Sequence, residues 1–257
     1  MAPDACRRLG AVEAHRRHWE TLAGRDPLWA ILTDPSRKDG GWEIGEFLAT
    51  GEREVERLME LTGRLGVPAA RSAALDYGCG VGRITRALAS RFDTVVGLDI
   101  STEMVSRAAA LNGDLSNARF QLTSGVDLEV VGTGRFDLVY CFLVLQHVPS
   151  HRLIEATIGR LAEVVAPGGL LAFQLPGPLL PRQRVQGRRR LFAVLRRLGV
   201  PDEVLLGRLG LTPMRMTGIR HGRVRELLDS LGLRVLEVHA TDHDGIADSF
   251  TYYVTTK

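Results

Sequence analysis

Five short apolar runs fall between residues 73 and 175, and amphipathic stretches separate them. "AALDY" (73–77), "TVVGLD" (94–99), "ARFQL" (118–122), "FDLVYCFLV" (136–144) and "LLAFQL" (170–175) have the length and apolar content of strands. Residues 83–91 put Ile84, Ala87 and Leu88 on one helical face. Residues 101–112 read as a helix with Ser101 as N-cap and Gly113 as its stop, and residues 152–169 as a helix closed by Pro167-Gly168-Gly169. Such alternation leaves few options. Each helix carries the chain back across the sheet, so successive strands lie parallel and helices cover both faces. After residue 175 the pattern changes: two helical runs (188–198 and 202–209), a helix at 222–232, then strands at 233–240 and 249–257. Only a short loop joins the last two strands, so they pair antiparallel. The expected architecture is an α/β, doubly wound, seven-stranded sheet, mostly parallel with an antiparallel last strand. It divides into an N-terminal helical cap (1–70), a core (71–175), a lid insert after the fifth strand (176–218) and a C-terminal helix and strand pair that complete the core (219–257).

With 257 residues, 45% apolar and 25% charged, the chain can bury a core without disulfides or a structural metal. Cys6, Cys79 and Cys141 are odd in number and lack metal-ligand spacing, which fits a reducing cytoplasm. The first twenty residues contain no secretory-signal run, and no segment reaches the ~18 apolar residues of a membrane span. A cytoplasmic protein, monomer or homodimer, with no membrane partner is expected. The net charge of +3 does not point to nucleic acid. Lysine occurs only at Lys38 and Lys257, and the arginine bias fits a GC-rich bacterial genome.

The turn after the first strand carries the chemistry. In "DYGCGVG" (76–82), Gly78, Gly80 and Gly82 alternate with larger residues at the point where a doubly wound sheet faces its ligand. Glycine lets main chain approach a ligand closely, and the following helix N-terminus adds partial positive charge. A dinucleotide loop has G-x-G-x-x-G; here the third glycine comes one residue early, and Asp76 stands two residues before the first. D-x-G-x-G-x-G instead resembles motif I of class I S-adenosylmethionine-dependent methyltransferases. Asp99 closes the second strand 23 residues after Asp76, "FDLVYCFLVLQHVP" (136–149) resembles the family's fourth-strand motif, and "LAEVVAPGGLLAF" (161–173) resembles the turn before its fifth strand. The resemblance covers roughly residues 70–175. It implies a Rossmann-like fold and S-adenosylmethionine as donor, with S-adenosylhomocysteine as product. Gly78, Cys79, Gly80 and Gly82 would lie along the methionine tail and ribose. Asp99 would accept from both ribose hydroxyls, and Asp76 would help hold the ammonium, often through water. Adenine would rest on Ile100 and Met104, with Ser124 where the family often has aspartate, followed by Gly125 and Val126. Cys141 and Gln146 complete the candidate donor site. The bland alternatives are a strand-end cap for Asp76 and a helix N-terminal acid for Asp99.

Methyl transfer from a sulfonium is an in-line displacement that needs alignment and exclusion of water, plus a base when the acceptor is a hydroxyl. His147, just past the fourth strand, is the candidate base; a capping or loop histidine is the alternative. His151 reads as surface. "HATDHDGIADS" (239–249) groups His239, Asp242, His243 and Asp244, but a polar hairpin accounts for them and no metal is expected; His243 stays a substrate candidate. Between 182 and 208 eight arginines face Asp202 and Glu203. That is a solvated helix face, or else a patch for an acidic substrate, a carrier protein or RNA. Only Phe192 interleaves the cations, which counts against RNA. Met214, Arg215, Met216 and His221 from one side, and Trp19, Trp29 and Trp42 from the other, are the candidate acceptor residues. The sequence "YCFLVLQ" lacks the D/N-P-P-Y/F of the nucleic-acid N-methylating branches. The expected activity is O-methylation of a small molecule in a bacterial natural-product pathway, with small-molecule N-methylation the alternative and RNA or protein methylation behind it.

Overall fold

The computed structural model describes residues 3–125, 128, 131–133, 135–180, 185–211, 213–243 and 247–256. Seven strands form one sheet: β1 (Ala73–Tyr77), β2 (Thr94–Asp99), β3 (Ala118–Leu122), β4 (Phe136–Cys141), β5 (Val165–Pro176), β6 (Leu233–His243) and β7 (Ala247–Thr256). Their order is β3-β2-β1-β4-β5-β7-β6. The β1–β2, β2–β3, β1–β4 and β4–β5 pairs are parallel, whereas β7 runs antiparallel to both β5 and β6. Chain order reverses between β1 and β4, so the crevice opens at the C-terminal ends of those strands.

Among the described residues, eight α-helices surround the sheet: α1 (Pro3–Arg25), α2 (Pro27–Ile31), α3 (Ile44–Leu65), α4 (Arg83–Ala89), α5 (Thr102–Leu111), α6 (His151–Val164), α7 (Gly187–Arg197) and α8 (His221–Ser230). Their ends follow local chemistry. Ser101 Oγ accepts from the Met104 N–H at the start of α5, Ser150 Oγ accepts from Leu153 at the start of α6, and Gly66 takes the left-handed conformation after α3.

Period-two alternation sorts the strand residues. Leu75, Val96, Leu98, Val139 and Phe173 bury one face among residues of α6 and α8, while Ala74, Val95, Leu138 and Leu170 bury the other among residues of α3 and α4. A third cluster ties the N-terminal helices to the segment after β5: Leu22, Ala30 and Phe47 pack with Phe192, Leu205, Leu206 and Leu211. Full burial of each such side chain is worth about 1.5–3 kcal/mol, so the first helices and the insert are one packed body over the crevice.

The structure departs from the sequence expectation in three places. Helix α6 stops at Val164, and Ala166 to Gly169 belong to β5 rather than to a helix end. Pairing steps from Phe136↔Val165 to Leu138↔Leu170, so Pro167-Gly168-Gly169 form a bulge inside the strand. Strand β4 ends at Cys141 and does not continue to residue 144, because Leu143 turns to φ +60°. Strands β6 and β7 extend to His243 and from Ala247, which shortens the expected polar loop.

Candidate active site

Gly78, Gly80 and Gly82 have φ of +80°, +54° and +85°. A side chain is excluded for a second reason. A Cβ on Gly78 would stand 2.2 Å from Val144 Cγ2, and one on Gly80 would stand 2.4 Å from Ile31 Cδ1. The N–H groups of Gly78 and Cys79 both donate to the Leu98 carbonyl (2.7 and 2.9 Å), and that of Gly80 donates to Asp99 Oδ2 at 2.9 Å. The loop is therefore pinned down onto β2. What it presents to the crevice is bare main chain, and these three donors are already used.

Asp99 closes β2 nearly out of contact with solvent. Its other oxygen accepts from the Ser101 N–H at 2.9 Å. Burial pushes its carboxyl up, against the bonds from Ser101, Gly80 and Ile100 that favour the ionised form. Asp76 lies beside it at the end of β1, where Thr85 Oγ1 donates to it at 2.7 Å. Burial raises its pKa to about 7, opposed by Thr85 and Arg83. Arg83, on the crevice wall, pairs with Glu54 at 2.8 Å and bonds Thr50 Oγ1 at 3.2 Å, yet its Nε is buried without a partner.

His147 ends a 3-10 turn, Leu145–His147, just past β4. Its Nδ1 lies 2.7 Å from the Arg215 carbonyl, which can only accept. The proton is therefore on Nδ1, and Nε2 keeps its lone pair, 3.2 Å from the Gln146 amide nitrogen. Burial lowers the His147 pKa, against the carbonyl bond that raises it, so the ring is neutral. The segment after the insert is laced to this turn. Thr217 N–H donates to the Gln146 carbonyl (2.7 Å), Thr217 Oγ1 to that of Val148 (3.1 Å) and Arg215 Nη1 to that of Pro149 (2.6 Å).

The roof is α1, where the sequence had singled out Trp19 but not His15 or Glu20. Trp19 meets the His147 ring edge-on at 5.3 Å, and His15 meets Trp19 at 6.3 Å. Glu20 caps α5 from outside: it accepts from Ser101 Oγ (2.8 Å) and from the N–H groups of Thr102 (2.7 Å) and Glu103 (3.1 Å). For His15 and Glu20, the "HRRHWE" run in a stretch that reads as helical is the one hint the sequence held.

Together these parts enclose a cleft of about 1100 Å³, counting the portion open to solvent. Asp76, Gly78, Cys79, Gly80 and Asp99 line its floor, Ile100, Met104 and Gly125 one side, and Trp19 and His147 the other. The remaining sequence candidates sit elsewhere. Gly82 packs α4 against Asn112 and Phe120, Cys141 is fully buried in the sheet, Gln146 is buried with its amide nitrogen against His147 Nε2 and lines neither cavity, and Ser124 is exposed off the cleft. Val126 lies outside the described residues, as does the side chain of His243. Met214 and Arg215 line a second cavity that shares Trp19 and His147 with the first. Met216 lines neither; its carbonyl accepts from Gln186. The Trp29 and Trp42 indoles donate to the Asp34 and Leu32 carbonyls, which turns both rings away from the cleft. His221 bonds Tyr252 and stacks on it.

Residues 74–169 match the family described as "Methyltransferase domain". This segment is a methyltransferase domain. It contains the glycine loop, both aspartates and His147. A trans-aconitate 2-methyltransferase of Streptomyces avermitilis is 33% identical over 142 residues, which cover 53% of this chain and 51% of the relative. A ubiquinone biosynthesis O-methyltransferase of Psychrobacter cryohalolentis is 34% identical over 172 residues, 56% of this chain and 65% of the relative. The chain spans about half the length of the first of these curated relatives. The fold of the methyltransferase domain and its flanks is also that of the magnesium protoporphyrin IX methyltransferase of Synechocystis, solved with S-adenosylhomocysteine: TM-score 0.63 at 20% identity, over 95% of this chain and 99% of that one.

Proposed function

We propose that the chain is an S-adenosylmethionine-dependent methyltransferase that O-methylates a small molecule. One observation carries the reading: a buried carboxylate, Asp99, stands at a strand tip over a left-handed glycine loop that leaves main chain bare. The residues suit the donor. Asp99 has lone pairs left for ribose hydroxyls, Asp76 is a buried carboxyl that a neighbouring ammonium would hold in its ionised form, and the unpartnered Arg83 Nε suits a carboxylate. Ile100 and Met104 give an apolar wall for adenine. The curated relatives act on small molecules by their names, and the structural neighbour was solved with the spent donor.

When bound, the donor supplies an electrophilic methyl group and keeps the sulfur–methyl bonding pair as it becomes S-adenosylhomocysteine. His147 Nε2, neutral and held by the Arg215 carbonyl, takes the acceptor's proton as the new oxygen–methyl bond forms. Gln146 holds that lone pair until an acceptor hydroxyl displaces its amide. Trp19 and the roof helix keep water from the reacting atoms. We place the reaction in natural-product assembly, a reading that neighbouring genes for another pathway would remove.

Calorimetry with S-adenosylhomocysteine tests the donor site. Micromolar binding is expected; tight NADH binding with none of the nucleoside would overturn the assignment.

A further inference from the structure

A second cavity beside His147 spans about 510 Å³, counting the portion open to solvent, and shares His15, Trp19, His147 and Pro149 with the donor cleft. Its other walls come from α1, α7 and the segment near Met214. His18, Arg189 and Arg215 line it, and no carboxylate among the described residues does. Arg83, Arg86, Arg107, Arg196 and Arg223 each meet a carboxylate within 3.3 Å. Arg189 instead faces Arg215 and Arg190, and its Nε is buried without a partner. Arg215 donates only to the Pro149 carbonyl among the bonds identified, so much of its guanidinium fork remains free.

Cations gathered without counter-charge are costly unless an anion completes them. The surroundings register the missing charge. His18 is pushed down to about 4 by burial and by Arg189, Arg196, Arg17 and Arg215, and His15 to about 3 by burial, His147, His18 and Arg215. Both histidines are neutral at pH 7, so the arginines carry the positive potential. Trp19, Leu22, Pro213 and Met214 give the rest of the cavity an apolar lining.

We propose that this cavity is the acceptor site and that it takes a small hydroxy acid. Its carboxylate sits between Arg189 and Arg215, its body lies against Trp19 and Met214, and its hydroxyl meets His147 Nε2. The inference rests on the methyltransferase reading and adds the substrate class to it. Arg189 and Arg215 are specificity residues here, because they grip the acid and leave the reacting oxygen to His147. A planar carboxylate matches the guanidinium fork through two parallel bonds.

The test is calorimetry of the protein saturated with S-adenosylhomocysteine. The probes are 4-hydroxybenzoate, 3,4-dihydroxybenzoate and citrate, each against its amide, with phenyl phosphate as a separate arm. At least one acid is expected to bind tenfold or more tightly than its amide. Arg189→Gln is expected to erase that gap while leaving S-adenosylhomocysteine affinity unchanged; Arg215→Gln is the second variant should the first not fold. The proposal is overturned if no acid binds, if acids and amides bind equally, if phenyl phosphate alone binds, or if the gap survives in the folded variant. Acid binding is also read without the nucleoside. A failure of the donor reading therefore appears in the nucleoside titration, and a failure of the acceptor proposal in the acid–amide comparison.

Discussion

Glu20 is the latch between the roof helix and the donor site, and its removal should be felt in both. In Glu20→Ala, three donors at the head of α5 lose their acceptor: Ser101 Oγ, Thr102 N–H and Glu103 N–H, now at 2.7–3.1 Å. Taken singly, bonds to a charged group contribute about 1.5–3 kcal/mol each. Summing them would overshoot. The Glu20 side chain is 25% exposed, so water replaces part of the loss, and Ser101 still caps the helix through Met104. Capping deletions of about 0.5–2 kcal/mol and a helix-end charge of about 0.3–1 kcal/mol set the scale. The expected cost is about 1–3 kcal/mol, with Glu20→Gln near the lower end because it keeps one oxygen. Urea unfolding followed by circular dichroism reads the stability. Calorimetry with S-adenosylhomocysteine should show weaker binding too, since α1 carries Val12, His15 and Trp19 to the cleft wall. The pH dependence adds a sign. Partial burial pushes the Glu20 pKa up, but the bonds from Thr102, Ser101 and Glu103 outweigh it and leave it below the ordinary 4.5. A depressed carboxylate stabilises the fold above its unfolded pKa and loses that contribution as pH falls through the folded value. The gap between wild type and Glu20→Ala should be full well above the ordinary 4.5 and shrink as pH falls below it. A change under about 0.3 kcal/mol, with nucleoside affinity intact, would mean that these bonds do not hold the roof.

Asp99→Ala should weaken S-adenosylhomocysteine binding by about 1–3 kcal/mol or more; an unaltered dissociation constant in calorimetry would remove Asp99 from the ribose. His147→Ala should lower turnover at least a hundredfold with little change in nucleoside affinity, the size expected for a lost general base. In wild type, the acid limb of the rate profile should lie below pH 6.5, since the histidine pKa is lowered; a limb above that value would exclude His147 as the base. Asp76 has its folded pKa raised to about 7, so it costs the fold stability increasingly as pH rises from 4 to 8. Asp76→Asn keeps an acceptor for Thr85 and should be relatively more stable at pH 8 than at pH 5 in thermal melts, while binding S-adenosylmethionine more weakly; the opposite pH trend would refute the buried-charge argument.

The sheet was legible because its signals are local. β1, β2 and β3 have the bounds that apolar runs 73–77, 94–99 and 118–122 imply, and Ser101 caps α5 as its hydroxyl suggests. The family match over 74–169 supports the recognition drawn from the glycine loop. Where local signals mislead, long-range packing decides. Pro167-Gly168-Gly169 reads as a turn, yet pairing with β4 and β7 draws those residues into a strand as a bulge. Trp29 and Trp42 look like pocket aromatics in a loop-rich stretch, but their N–H groups are spent on neighbouring carbonyls. His15, His18 and Glu20 carry no motif at all. Their roles come from where α1 docks, which no spacing within the helix encodes. The same holds for Arg189, one of several arginines on a helix that reads as a wet face until the cavity beside it is seen.

Val12 lines the donor cleft alone, Ala14, His18 and Leu22 line the neighbouring cavity alone, and His15 and Trp19 line both. One helix thus serves two rooms from adjacent stripes, separated by about 100° of rotation per residue. Drift along the second stripe would reshape the neighbouring cavity while the glycine loop and the Glu20 fastening stay as they are, so on the proposed assignment this helix is the economical place to change the acceptor.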